Sequence, residues 1–213
     1  SIFIDTLLIL FIEYREYYLS ATSKIPLHLL QYLYMKGQKS RQFVLPFSSQ
    51  AEILVSGFGA KASRVAQLYA LKKKTGWQVP NGFAIHVDVY EQMVCTGKKG
   101  AQMKKLMRKL EKTQKESELK KIALQIRKLI LAQSLPTAIK KEIAAAYKSL
   151  GSPSVAVRSS AQLEDTDTES FAGKYDSILN VTSIKGIEKA IRSCYASVFS
   201  DRAVIHRTQK GYD

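Results

Sequence analysis

Cysteine is scarce in this chain. Cys95 and Cys194 are the only two among 213 residues, and neither belongs to a CxxC or Cys/His pattern. That excludes a disulfide framework and a structural zinc site, and it fits a reducing cytosol. Long hydrophobic runs are also missing. The most apolar stretch, SIFIDTLLILFI at 1–12, includes Asp5 and leads into the polar EYREYY, so it is too short and too charged to span a bilayer. No basic segment precedes it and no small-residue cleavage site follows, which argues against a secretory signal. Acidic residues are the third shortage: 18 Asp and Glu stand against 33 Lys and Arg, a formal charge of +15. Such an excess attracts phosphates, whether of nucleic acid, lipid headgroups or nucleotides.

What is present is a globular composition. At 46% hydrophobic residues, the chain supplies one substantial core, or one core plus an appendage. The positive charge is concentrated. Residues 98–148 hold 15 Lys and Arg against 4 Glu and no Asp, which puts +11 of the +15 there. In that stretch Lys104, Lys105, Arg108, Lys109, Lys112 and Lys115 surround Leu106, Met107 and Leu110 at helical spacing, the pattern of a solvated helical face.

The order of patterns along the chain is mixed. Residues 1–19 and 26–36 read as two apolar, aromatic-rich helices, closed by a polar GQKSRQ break, so 1–40 is expected to be a helical extension of a domain at 41–213. FVLPF and AEILV read as strands, and ASRVAQLYALKKK as a helix with Val65, Leu68, Tyr69 and Leu71 on one side. WQVPNGFAI follows as strand and turn, and Asp88 is placed to N-cap a short helix through Met93. Two or three helices fill about 100–149, with Pro136 in the first turn of the last. SVAVR and SILNV read as strands, and Ser183 as the cap of a helix containing Ile187, Ile191, Tyr195 and Val198.

Two segments carry chemistry. SGFGAKAS follows an apolar strand and opens a helix, where backbone amides receive phosphate oxygens. It is not a Walker A loop, because Ala60 stands where glycine must precede the lysine. A dinucleotide fingerprint is half met by Gly57, Gly59 and Ala62, but no acidic residue follows about twenty positions on. A third reading puts Lys61 at the helix start as a positive charge beside the amides; an ordinary solvated lysine in a surface turn is the plain alternative.

The second segment is VAVRSSAQLEDTDTESFAGKYDSILNV, 155–181. Strand alternation sets Ala156, Arg158 and Ser160 on one face. A guanidinium at the strand end grips two phosphate oxygens, or else pairs with Glu164, Asp165, Asp167 or Glu169. Gly173 allows close backbone approach, and Ser177 offers a hydroxyl to a phosphate or ribose oxygen. The carboxylates of LEDTDTE have no fixed metal-ligand spacing and are left unassigned.

Taken together, FGAKASRVAQL, VPNGFAI, VAVRSSAQLED, SFAGKYDSILNV and SCYASVFSDRAVIHR resemble, in order, the N-terminal nucleotide-binding region of the phosphoenolpyruvate synthase and pyruvate phosphate dikinase family. The likeness runs over about 42–212 and extends to rifampicin phosphotransferases and glucan water dikinases. It implies an α+β, ATP-grasp-like fold, of which this chain is the first lobe. It also implies an ATP-dependent phosphotransferase that phosphorylates a histidine on a separate domain. Lys61 and Arg158 match the family's ATP phosphate contacts, here the catalytic pair. Gly173 and Ser177 match further ATP-binding positions, with serine replacing the family's threonine. Gly59-Ala60 departs from the usual glycine pair.

The resemblance places the Mg²⁺ ligands in a second lobe beyond Asp213, so no metal residue is assigned here and this polypeptide alone is expected not to turn over. It also sets aside His28, His86 and His206 as phosphoryl carriers. The expected partners are ATP, the second lobe and a phosphohistidine domain, in the cytoplasm, with no membrane. The alternative function is a basic nucleic-acid-binding protein with a vestigial ATP site. It ranks lower because Tyr147 is the one ring within 98–148, which leaves bases no stacking platform.

Overall fold

The computed structural model describes residues 6–12, 42–49, 53, 57–161, 165–166, 169–170 and 177–210. In chain order these form β1 (Thr6–Ile12), β2 (Val44–Pro46), α1 (Gly59–Thr75), β3 (Asn81–Ile85), α2 (Asp88–Val94), α3 (Gly97–Glu111), α4 (Glu116–Leu131) and α5 (Thr137–Ser149). Then come β4 (Val155–Ala161), the short hairpin β5 (Asp165–Thr166) and β6 (Glu169–Ser170), β7 (Ser177–Val181), α6 (Ile184–Ser197) and α7 (Asp201–Lys210). The architecture is mixed α and β.

One sheet organises the fold, in the order β2-β3-β1-β4-β7. The three inner strands are parallel, and the two outer pairings are antiparallel. Its centre corrects one expectation. Thr6–Ile12 was expected within a helix and is instead β1, with Leu8 opposite Phe83 on one side and Val157 on the other. The reason is visible in TLLILFI: a strand between two parallel neighbours needs an unbroken run of branched apolar residues, and periodicity alone does not separate such a run from a buried helix. Residues 26–36, expected as the second helix, lie outside the described residues, as does all of AEILV except Ile53.

The sheet has two covered faces. Val44, Phe83, Ile85, Val155, Val157 and Val181 belong to one large core completed by α2 to α7. The intervening residues Leu45 and Ala84 turn the other way and pack with Phe47, Ile53, Phe58, Ala62 and Ala66, so α1 covers the second face. The buried stripe of α1 is narrower than expected. Val65 and Tyr69 pack against this second cluster, but Leu68 and Leu71 are exposed. Alanines at 62, 66 and 84 let the helix backbone lie close to the sheet, a close-packing effect that a count of large apolar residues overlooks.

The other helices follow their sequences more directly. In α4, Leu119, Ile122, Ala123, Ile126 and Ile130 are buried at helical spacing. In α6, Ile187, Ile191 and Tyr195 are buried, and Ser183 Oγ accepts from the Gly186 amide at 3.1 Å as the expected N-cap. Asp88 differs. Val87 is the cap residue of α2 and Asp88 is its first helical position, where its carboxylate suits the helix dipole without capping. Pro136 likewise sits one residue earlier, at the cap of α5.

Polar ties join the layers. Glu142 of α5 accepts from the amides of Phe43 and Val44 at 2.8 and 3.0 Å, which fixes the edge strand β2. Arg127 of α4 donates through Nη1 to the carbonyl of Phe199 at 2.6 Å and to Asp201 Oδ1 at 2.7 Å, which locks the start of α7 onto α4. Replacing Arg127 with methionine keeps the apolar stem and removes both bonds. Charge-assisted bonds of this kind contribute about 1.5–3 kcal/mol, here discounted by partial exposure, so a fall in Tm of a few degrees is expected by circular dichroism. An unchanged Tm would show that the α4–α7 tie carries no weight.

Candidate functional site

The helix that the glycine loop opens and the strand that carries the arginine pack against each other on one face of the sheet. Along β4, Val155 and Val157 point into the large core. Arg158, one residue on, therefore projects from the opposite face, the one α1 covers, and α1 lies against both β4 and β1. Lys61 is in the first turn of that same helix. Arg158 is the middle residue of β4, not its end as the sequence suggested, because Ser159, Ser160 and Ala161 go on pairing with β1. The strand and the helix start share a layer, although 97 positions separate Lys61 and Arg158 in sequence.

Arg158 is exposed and sits directly opposite Ser177 in the antiparallel β4–β7 pair. Its Nε donates to Ser177 Oγ at 3.4 Å, a long contact that orients the guanidinium more than it holds it. The pairing shifts register between Val155 and Val157, and Asn180 in β7 has a φ of +56°. An extra residue in β7 therefore forms a bulge, with asparagine tolerating the left-handed turn. The bulge raises local twist just before the Arg158–Ser177 rung. Of the carboxylates weighed as partners for Arg158, Glu164 and Asp167 lie outside the described residues, and Asp165 and Glu169 stand in the β5–β6 hairpin. Gly173 also lies outside the described residues.

At the other side of the site, Gly57 and Gly59 both hold left-handed backbone, φ +53° and +80°, which only glycine adopts without strain. The Gly57 carbonyl accepts from the Val87 amide at 2.9 Å, which joins the loop to the turn after β3. Phe58 is the N-cap residue of α1, its side chain makes no capping hydrogen bond, and the first turn has no acidic residue. Lys61, in that first turn, is half-buried.

The sequence matches a known domain. The family model for the pyruvate phosphate dikinase AMP/ATP-binding domain covers residues 55–213. The chain belongs to that family. Similar proteins include the rifampicin phosphotransferase of Bacillus cereus, 36% identical over 174 residues, which is 80% of this chain and 19% of that protein. The phosphoenolpyruvate synthase of Helicobacter pylori is 34% identical over 73% of this chain and 20% of its own length. That of Escherichia coli is 30% identical over 84% of this chain and 23% of its own. The chain therefore spans about a fifth of the length of these relatives.

As a dikinase-family ATP-binding region, the chain has further features of note. Among the described residues, no group of three or more His, Cys, Asp or Glu side chains is placed to hold a metal ion, and no helix is long and apolar enough to cross a membrane. Both cysteines are free thiols. Burial, reinforced by Glu91, pushes the Cys95 thiol up, which keeps it protonated and unreactive. Tyr147, the single ring of the basic stretch, is buried, and its hydroxyl donates to the carbonyls of Ser152 and Pro153 at 3.1 and 2.9 Å. It therefore cannot stack on a base.

The sequence reading sets His86 aside as a phosphoryl carrier and gives it no other place; it is 2% exposed, and its ring lies against Gly57 of the glycine loop. A histidine straight after an apolar strand was the available signal.

Proposed function

We propose that this chain is the first lobe of an ATP-grasp nucleotide-binding region, and that Lys61 and Arg158 hold the ATP phosphates for transfer to a histidine on a separate domain. The observation that carries this reading is the shared layer. An exposed arginine in β4, beside Ser177, and a lysine in the first turn of α1 lie on the same side of one sheet.

The chemistry follows from charge. Phosphoryl transfer asks the protein for positioning and for cations where negative charge develops. The planar guanidinium of Arg158 spans two oxygens at once. The α1 amides and the Lys61 ammonium meet others. Ser177 offers its hydroxyl to ribose or phosphate, and Gly173 admits the nucleotide by close backbone approach. Mg²⁺ would accompany the triphosphate on acidic residues of the second lobe. A cytoplasmic place suits an ATP-dependent phosphotransferase.

The test is direct. The full-length protein that contains this chain, incubated with radiolabelled ATP, is expected to acquire an acid-labile, base-stable label on histidine. Absence of both label and ATP binding would overturn the proposal.

A further inference from the structure

We infer that His86 is a positioning residue for the glycine loop: its buried ring sets Gly57 and Phe58, and through them the first turn of α1 and Lys61. This rests on the ATP-site reading above. His86 follows β3 directly, and its own amide donates to the Phe43 carbonyl at 2.8 Å. The ring stands nearly perpendicular to two phenyl rings, Phe58 at 5.0 Å and 85° and Phe43 at 6.2 Å and 73° between centroids. Edge-to-face contacts of this type fix ring planes as well as positions.

The two ring nitrogens have separate tasks. Nδ1 accepts from the Asp88 amide at 3.1 Å, so the imidazole supplies the cap that no side chain at position 87 gives α2. An accepting Nδ1 leaves the proton on Nε2 in the neutral ring. That Nε2 faces Gly57 so closely that a Cβ placed on the glycine would come within 2.0 Å of it, and within 2.4 and 2.8 Å of Cε1 and Cδ2. Gly57 is therefore required twice, by its left-handed φ and by the imidazole pressed against its Cα. The adjoining bond from the Val87 amide to the Gly57 carbonyl closes the arrangement. β3, the α2 start and the phosphate loop become one rigid unit, and loop position is set by a side chain 25 residues away from Lys61.

A phosphate loop displaced by about 1 Å loses up to about a hundredfold in a reaction that depends on its placement. In the full-length protein, His86→Ala is thus expected to weaken ATP binding about tenfold or more, measured by calorimetry with ATP. His86→Asn separates the two tasks. Its amide oxygen still accepts from the Asp88 amide, so slow hydrogen exchange at Asp88 persists, yet the ring faces are gone and ATP affinity falls as in His86→Ala. His86→Phe keeps a ring against Phe58 and weakens ATP binding less than His86→Asn does.

The pair with Gly57 gives the sharpest reading. Gly57→Ala drives a methyl into the imidazole and weakens ATP binding. Adding His86→Ala to it opens that space, so the double variant binds ATP no more weakly than Gly57→Ala alone. Fold losses that simply multiply, or His86→Asn binding ATP as tightly as the parent, would overturn the inference. If Lys61→Ala also left ATP binding unchanged, the ATP-site reading itself would fall; a strong Lys61 effect beside a silent His86 would overturn only the positioning role.

Discussion

Replacing Arg158 with alanine in the full-length protein is expected to lower phosphohistidine formation from ATP by at least about a hundredfold, the usual loss on removing one preorganised group from developing charge. Arg158 stands on a strand whose neighbours Val155 and Val157 are fully buried, so the substitution removes an exposed guanidinium while the strand keeps its place. Lysine at 158 restores a charge without the two-pronged geometry, and most of the loss should remain. Lys61→Ala is expected to act similarly, because Lys61 lies in the first turn of α1, where an ammonium would add to the helix dipole's pull on an anion. Ser177→Ala should cost far less, since it removes only a 3.4 Å contact that steers the arginine. Quantifying acid-labile label in each variant, with Tm as a folding control, decides the matter. Wild-type labelling in both Arg158→Ala and Lys61→Ala would remove these residues from the site.

The largest effect on stability is expected at Tyr195. Its ring is wholly buried in α6, edge-on to Tyr90 at 5.1 Å between centroids. Truncation to alanine leaves a cavity the size of a ring in the main core, a loss of about 3–5 kcal/mol, which for a chain of this length lowers Tm by roughly 10 °C or more. Phenylalanine should do the opposite. The Tyr195 hydroxyl is buried without a hydrogen-bond partner among the described residues, and removing such a group gains on the order of 1 kcal/mol. The pH response has a definite sign. Burial, with a smaller contribution from Cys194, pushes the phenol far above its ordinary value of 10.0. Above about pH 10 the unfolded chain therefore releases a proton that the folded chain keeps. The stability is full below that pH and declines as pH rises through the alkaline range. Thermal melts between pH 8 and 11 should show a steeper decline for the parent than for Tyr195→Phe, and parallel declines would assign the alkaline loss elsewhere.

Local patterns were readable wherever one residue's neighbours in sequence were also its neighbours in space. The stripe Ile187, Ile191, Tyr195 and Val198 is buried as its spacing requires, and Ser183 caps the helix that carries it. The lysines of α3 are exposed around a buried Met103. Where contacts come from elsewhere, the same reasoning failed. TLLILFI obeys both helical and strand patterns until β3 and β4 pair with it. Leu68 and Leu71 read as the inner side of α1, but the close approach of Ala62 and Ala66 to Ala84 turned the helix differently. Asp88 has the chemistry of a cap, yet the cap is the imidazole of His86.

The amino-acid order determined the family, the mixed helix and strand content, and the concentration of charge in 98–148. Those properties reside in residue identity and short spacing, and they survive without knowledge of the fold. Only the tertiary structure decided that β1 lies at the centre of the sheet, that Arg158 shares its face with α1, and that His86 presses on Gly57. Each depends on strand register and on which face a helix covers. Those are set by burial of the whole core at once, because shifting a strand by one residue would turn every side chain on it to the opposite face.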